Sequence, residues 1–504
     1  MSLAIVRSRA GNGLAAPEVG VEVHLSNGLP SFSIVGLPEA AVRESRERVR
    51  SALLNSGFDF PARRITVNLA PADLPKQGGR FDLPIALGIL AASEQLPPAC
   101  LDELECFGEL GLSGELRPVH GMLAATLAAT RRGRTLVLPA GNAQEGALVA
   151  GANLLPAEHL AELTAYLSGK ETLVFEKPVP FQPADTAGPD LCDVRGQHLG
   201  RRAVELASAG GHDLLLIGPP GCGKTMLAQR LPGLLPPMTE AEALETACIY
   251  SVSRAGFDPR HWRERPFRSP HHSASAVALV GGGSRAMPGD ISLAHNGVLF
   301  LDELTEFDRR VLDQLREPME AGSITVARAS RSVVYPSRFQ LVAAMNPCPC
   351  GYAGDPSGRC RCSTDLLSRY HRRISGPLLD RIDLQIRVAA VEVTDLRPGP
   401  LPGESSDAVR QRVERSRATQ IDRCGMLNAR IPIDGLEEVC AVSVQGRKLL
   451  AEAMETLGFT ARAYHRILRL ARTIADLEDS DSVKGEHVAE SLQFRFLDRA
   501  SSWH

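Results

Sequence analysis

The sequence predicts an α/β protein of several units: an N-terminal mixed α/β unit, a central parallel-sheet domain, and a C-terminal run of helices. Three observations carry this. The stretch Gly218-Pro219-Pro220-Gly221-Cys222-Gly223-Lys224-Thr225 fits G-x-x-x-x-G-K-[ST] at every position, between an apolar run, Leu214–Ile217, and a helix starting near Met226. A second apolar run, Val298–Leu301, ends in Asp302-Glu303, as a buried strand does when its carboxylates emerge at the carboxyl edge of a parallel sheet. Helical periodicity then dominates the C-terminal part, over Ala408–Cys424, Arg447–Leu457, Ala463–Leu477 and His487–Phe496. At 504 residues the chain exceeds what one core holds, so two or three domains are expected.

Residues 1–175 read as the first unit, with strands at Val21–His24, Ser31–Val35 and Arg64–Leu69. A charged helix spans Glu39–Asn55 behind Pro38, and an apolar one spans Asp82–Ala92. Residues 176–190 are rich in proline, which is linker chemistry. The start of the chain lacks a signal peptide and no apolar run reaches transmembrane length, so a cytoplasmic protein with no membrane partner is expected. Eleven cysteines there stay mostly reduced, and a tight group of them points to metal before disulfide. The net charge of −3 excludes affinity for polyanions through global charge. Nucleic-acid binding must come from local basic patches, and the 5 % aromatic content argues against a base-stacking surface.

A glycine loop between strand and helix aims backbone N–H groups at phosphates, which predicts ATP. Lys224 then reaches the terminal phosphates, Thr225 and Asp302 hold Mg²⁺, and Glu303 orients and polarises the attacking water. A third apolar run, Phe339–Met345, ends in Asn346, which either positions that water or forms a turn before Pro347. Cys348, Cys350, Cys360 and Cys362 form C-x-C, nine residues, C-x-C. Their count and type suit tetrahedral Zn²⁺, although the spacing departs from C-x₂-C, and a redox disulfide is the other reading. Strands at Ser323–Val326 and Ser332–Tyr335 make a hairpin whose tip bears Arg328 and Arg331. These either grip DNA phosphates without reading sequence or form a solvated turn. The arginines of Ala408–Cys424 read as a solvated face before a nucleic-acid surface. His271 and His272 read as turn and packing residues, since no third metal ligand adjoins them.

The segments Val67–Lys76 and Gly108–Met122 resemble the Lon-protease-like domain of magnesium-chelatase-like proteins. By that resemblance the nucleophilic serine falls at Arg80 and the lysine base near Leu123, and Ser93 and Ser113 have no base nearby in sequence. A non-proteolytic scaffold is expected. With Phe32–Pro38, the phosphate loop, Ser292–Glu303 and Asn346–Gly351, the chain resembles the YifB/ComM family of magnesium-chelatase-like AAA+ proteins over nearly its whole length. The resemblance implies a Lon-like domain at 1–175, an AAA+ ATPase domain at 191–392 and a helical lid at 393–504. The segment from Arg265 through His295 resembles the helix-2 insertion of that branch. Asn346 takes a sensor role. Arg381 becomes an arginine finger on a neighbouring subunit's γ-phosphate, a salt bridge to Asp380 or Asp383 being its other reading. Arg462 becomes a second arginine sensor with Arg466 as its competitor, and Arg469 and Arg472 form a solvated face. A finger acting in trans implies a homo-hexameric ring. The ComM branch implies a helicase driving branch migration on single-stranded or branched DNA in natural transformation and recombination. Magnesium chelatase implies the rival activity, protein remodelling or metal insertion.

Overall fold

Along β2, Glu18–Ser26, every second side chain is buried, the period of a strand with one face on a core. It joins β1 (Ser2–Arg9), β3 (Ser31–Val35), β4 (Arg64–Ala70), β5 (Leu104–Cys106), β6 (Thr135–Pro139) and β7 (Asn153–Ala157) in a seven-stranded sheet of order β3-β4-β2-β1-β5-β6-β7. β2 runs antiparallel to β1 and β4, and the other pairings are parallel. Helix Asp82–Ala92 is buried at every residue. At Gly88 an added Cβ would lie 2.5 Å from a Val23 methyl, so glycine permits the close approach of helix to sheet. The computed structural model describes residues 2–11, 13–170, 188–283, 286–328, 331–354, 358–390 and 403–495. The predicted linker up to residue 187, and the hairpin tip at 329–330, lie outside them.

Two units emerge, Met1–Ala184 with Glu240–Trp262, and Asp185–Thr239 with Arg263–His504. In the first, the two residues at which the resemblance to a Lon-type protease puts nucleophile and base are engaged otherwise. Arg80 donates to the His120 carbonyl at 2.8 Å. Leu123 is fully buried and clusters with Val149, Ala247 and Cys248. Ser93 donates to the Leu90 carbonyl and the buried Lys76 to the Pro71 carbonyl, so neither is half of a serine–lysine pair. Of these partners Ala247 and Cys248 come from helix Glu240–Ser251, which the sequence alone puts inside the continuous stretch 191–392. That helix buries Ala243, Ala247 and Cys248 in the first unit, and Gly121 donates to the Ser251 carbonyl at 2.9 Å. In the second unit Met238 and Arg263 exchange two hydrogen bonds, of 3.2 and 2.9 Å. The excursion therefore departs and returns at one point.

The second unit is built on a fully parallel sheet of β8 (Leu214–Ile217), β9 (Phe267–Arg268), β10 (Val298–Leu301), β13 (Gln340–Met345) and β14 (Leu384–Arg387), in the order β9-β10-β13-β8-β14. β8, β10 and β13 are buried throughout, which is why they read as unbroken apolar runs. Between β10 and β13 stands an antiparallel hairpin, β11 (Ser323–Arg328) and β12 (Arg331–Pro336), with Arg328 opposite Arg331 at the end of the ladder.

The C-terminal helices Ser406–Cys424, Val444–Leu457, Ala461–Leu477 and Gly485–Gln493 complete this unit. Val409, Val413, Leu470 and Ile474 share a core with β8. The expected solvated face at Arg469 and Arg472 is not one. Arg472 is 1 % exposed and bonded to Asp476 at 2.9 Å, and Arg469 donates to the Ile431 carbonyl at 2.6 Å. Their helix is packed on both sides, so the guanidinium groups find partners inside. Arg410, Arg412 and Arg423 are likewise paired, with Asp407, Glu404 and Asp476. Among the described residues no helix is long and apolar enough to cross a membrane.

Replacing Leu123 by lysine puts an ammonium group into an apolar cluster with no partner. We expect a loss of about 3 kcal/mol or more, read as a lower unfolding midpoint in urea, with no gain of peptidase activity even beside Arg80→Ser.

Candidate active site

The parallel ladder sets Ile217 opposite Met345 on one side and Arg387 on the other, so the loop after β8 starts beside the end of β13. Gly218 donates to the Met345 carbonyl at 3.2 Å. An added Cβ there would lie 2.4 Å from the Val388 carbonyl oxygen, so residue 218 is glycine for room. Gly221 and Gly223 are glycine for conformation, with φ of 76° and 91° and open space around them. Helix Lys224–Leu234 begins at once, its N-terminus turned into the loop. Lys224 is 8 % exposed, and its ammonium is held by the carbonyls of Gly218 (2.8 Å) and Pro219 (2.9 Å) and by Asn346 Oδ1 (3.2 Å). From the other side Gln197 donates to the carbonyls of Cys222 (3.0 Å) and Ala389 (2.6 Å), tying the loop to the chain after β14. Nothing in the sequence pattern marked Gln197.

β10 delivers the acidic pair. Thr225 Oγ1 donates to Asp302 Oδ2 at 2.8 Å, and the Glu303 N–H donates to Asp302 Oδ1 at 2.9 Å. This hydroxyl–carboxylate pair is hard-oxygen chemistry of the kind that suits Mg²⁺. Glu303 has φ of 52°, a left-handed conformation that costs a non-glycine residue roughly 1 kcal/mol or more and recurs at functional turns. Its Oε2 lies 3.0 Å from Nδ1 of His272. The loop, Asp302, Glu303, Met345 and Asn346 line one cavity of about 390 Å³. The structure thus gathers Pro220 to Thr225, Asp302, Glu303 and Asn346 into one place, beside Gly218 and Pro219. These residues fit ATP with Mg²⁺: a cradle of N–H groups, a lysine at its centre, and oxygen ligands at its edge.

Two predicted residues lie elsewhere. Arg381 is 8 % exposed, paired with Glu320 and donating to the Pro377 carbonyl at 2.6 Å. Its partner is Glu320, not Asp380 or Asp383. Arg462, largely exposed, lies 4.0 Å from Asp380. Its competitor Arg466 is bound to Asp383, which His212 also faces at 3.3 Å. Against the effect of burial, Arg466 and His212 hold Asp383 below the usual carboxylate range. Arg466 is therefore committed to a buried structural pair.

The cysteine group assembles beside the loop. The four sulfurs of Cys348, Cys350, Cys360 and Cys362 lie within 4.8 Å of one another. Cys348 is 3.2 Å from Cys350 and 3.8 Å from Cys360, and Cys350 is 3.6 Å from Cys360. Four Zn–S bonds of about 2.3 Å span about 3.8 Å between sulfurs, so the donor set fits zinc. The Tyr352 N–H pulls the Cys350 thiol down to about 6, and burial pushes Cys348 up to about 12. The knuckle also touches the nucleotide elements. A Cβ at Gly351 would lie 2.7 Å from Pro220, His371 faces the Pro347 carbonyl at 2.9 Å, and Thr305 donates to Tyr370 at 2.7 Å.

Lys224→Ala removes the one cation at the centre of the loop, and loss of measurable ATP binding by calorimetry is expected. Glu303→Gln keeps the loop intact, so binding should persist while kcat falls by about 10²-fold or more.

Three family models cover most of the chain: magnesium chelatase subunit ChlI over residues 190–396, a further ChlI model over 21–142, and the ChlI C-terminal model over 403–495. The chain is 50 % identical over 501 residues to an uncharacterized protein, YifB, of Escherichia coli, covering 99 % of this chain and 98 % of that one. It is 50 % identical over 506 residues to the competence protein ComM of Haemophilus influenzae, with the same coverage. A shorter match, 27 % identical over 222 residues, joins 42 % of this chain to 26 % of the DNA replication licensing factor Mcm6 of Drosophila pseudoobscura pseudoobscura. With a five-stranded parallel sheet, a phosphate loop at the carboxyl end of β8 and helices after it, the chain belongs to the YifB/ComM family of magnesium-chelatase-like AAA+ proteins.

Proposed function

We propose that this protein hydrolyses ATP and couples the hydrolysis to movement on DNA, as a branch-migration helicase in competence and recombination. One observation carries the hydrolytic part: three parallel strands end side by side and present Lys224, the Thr225–Asp302 pair, Glu303 and Asn346 to a single cavity. Lys224 and the loop N–H groups bind the phosphates. Thr225 and Asp302 hold Mg²⁺, which when bound offsets phosphate charge. Glu303 orients the water and takes its proton, and Asn346 positions that water. Support for DNA comes from the relatives, one called a competence protein and one a DNA replication factor. The basic hairpin of β11 and β12 supplies Arg328 and Arg331 as non-specific phosphate contacts.

A homo-hexameric ring in the cytoplasm is part of this reading. Within it Arg381 must leave Glu320 to reach a neighbouring subunit, and Arg462, already exposed, acts as the second sensor. The zinc site is structural, bracing the loop that carries Asn346. The rival activity, remodelling of a protein or insertion of a metal, is favoured by the chelatase family model over residues 190–396.

The deciding measurement is the ATPase rate with and without single-stranded and branched DNA at two salt concentrations. The helicase reading expects stimulation that weakens with salt, by roughly one unit of log–log slope per phosphate contact. No binding and no stimulation at low salt would overturn it in favour of the rival. In mixtures of Arg381→Ala and Lys224→Ala subunits, each inactive alone, activity should reappear if the finger acts across an interface, because a Lys224→Ala subunit lends its intact Arg381 to the intact loop of an Arg381→Ala neighbour. Zinc, measured by elemental analysis, should approach one ion per chain and be lost in Cys360→Ser.

A further inference from the structure

The arginines of the second unit are not all spent on internal pairs. Between 359 and 373, around the second half of the cysteine group, the chain carries five arginines and one acid, Asp365, in a protein whose net charge is −3. Two of the five are engaged. Arg373 is bound to Glu306 and to the Thr305 carbonyl, both at 3.1 Å, and Arg359 lies over the Tyr352 ring at 4.5 Å. The other three, Arg361, Arg369 and Arg372, are exposed, and among the described residues no hydrogen bond or ion pair holds their guanidinium groups.

Their outward direction follows from what surrounds them. Cys360 and Cys362 turn both sulfurs into the thiol cluster, and Arg361 between them is left on the outside. Ser363 then caps helix Thr364–His371, accepting from the Leu366 N–H at 3.3 Å. One side of that helix is pinned beside the nucleotide site, Tyr370 by the Thr305 hydroxyl and His371 by the Pro347 carbonyl. Arg369 and Arg372, three residues apart, share the other side. A helix C-terminus favours cations in its last turn. That accounts for Arg369 and Arg372 as local stabilisers, but not for Arg361 at the opposite end. The three cations are strung along about 12 Å of helix, a spread that suits a linear polyanion and not a single small anion.

We propose that the outer face of the cysteine knuckle and of helix Thr364–His371 is a second contact surface for DNA, apart in sequence from the β11–β12 hairpin, on which Arg361, Arg369 and Arg372 hold the sugar–phosphate backbone. This rests on the DNA reading above. Exposed guanidinium groups with no pocket around them grip phosphates without reading bases. The same knuckle packs on Pro220 through Gly351, so a strand held there sits against a segment in contact with the phosphate loop.

The test is fluorescence anisotropy of a labelled single-stranded oligonucleotide with the full-length protein over a salt series. Wild type is compared with the triple variant Arg361→Gln, Arg369→Gln, Arg372→Gln and with its triple lysine counterpart. Each phosphate contact on a single strand carries roughly 0.7 unit of log–log salt slope, so the glutamine variant should lose about 2 units. Its affinity advantage at low salt shrinks accordingly, by about 20-fold across roughly 50 to 200 mM salt. The lysine variant keeps the charges and should bind within about threefold of wild type. Zinc content and the urea midpoint show whether the glutamine variant is folded. Should it lose zinc, the three single glutamine variants decide, each expected to lower the slope by about 0.7 unit. A folded glutamine variant with the wild-type slope overturns the proposal. So do three single variants with unchanged slopes, and so does a lysine variant as weak as the glutamine one. Wild type that binds no oligonucleotide at low salt is a failure of the DNA reading itself, and the proposal falls with it. Loss of slope on substituting Arg328→Gln and Arg331→Gln alone, with none in the folded triple variant, leaves the hairpin as the contact and overturns this surface.

Discussion

The register between β8 and β13 is the constraint on which the site depends. Because Ile217 pairs with Met345, the loop that follows one strand and the asparagine that follows the other leave the sheet side by side. Lys224 then bonds Asn346 across that gap, and β10 on the far side of β13 adds Asp302 and Glu303. A slip of one residue in that ladder would turn every side chain to the opposite face. Buried apolar strands on both sides of the register make such a slip costly, so the geometry of the site is underwritten by Leu216, Val342, Ala344 and Phe300 in one core.

Charge is distributed in two distinct ways around this core. In the helical part, arginines are spent on internal pairs: Arg412 with Glu404 and Glu205, Arg423 and Arg472 with Asp476, Arg466 with Asp383. Such pairs fix helix positions and withhold these particular guanidinium groups from a ligand. At the nucleotide site the lysine is instead held by weak neutral acceptors, two carbonyls and an amide oxygen. An anion entering there meets a cation not already neutralised by a carboxylate.

Much of this was legible in the chain. Leu214–Ile217 and Val298–Leu301 are strands with the boundaries that their apolar runs set, and Asp82–Ala92 is the helix its composition indicates. The phosphate loop is legible because its chemistry is local: glycine, lysine and threonine act within eight residues. What stayed hidden depends on contacts distant in sequence. The two-residue strand β9 is too short for a periodic signal, and without it nothing brings His272 to Glu303. Gln197 reaches the loop only through the fold. Arg472 looked solvated because a helical wheel shows charge but not the neighbouring helix that buries it. The cysteine group was visible as a count of thiols, whereas its contact with Pro220 was not.

The excursion at Glu240–Trp262 has a consequence for how the polypeptide comes into being. Leu123 and Val149 emerge from the ribosome long before Ala247 and Cys248, which cover them. The N-terminal unit therefore waits, with an apolar face bare, until the phosphate loop and its helix have also been synthesised. Maturation of the scaffold and of the nucleotide-binding half are interlocked in time, and neither half is a self-sufficient fragment that evolution or an engineer can simply cut at the proline-rich stretch between them.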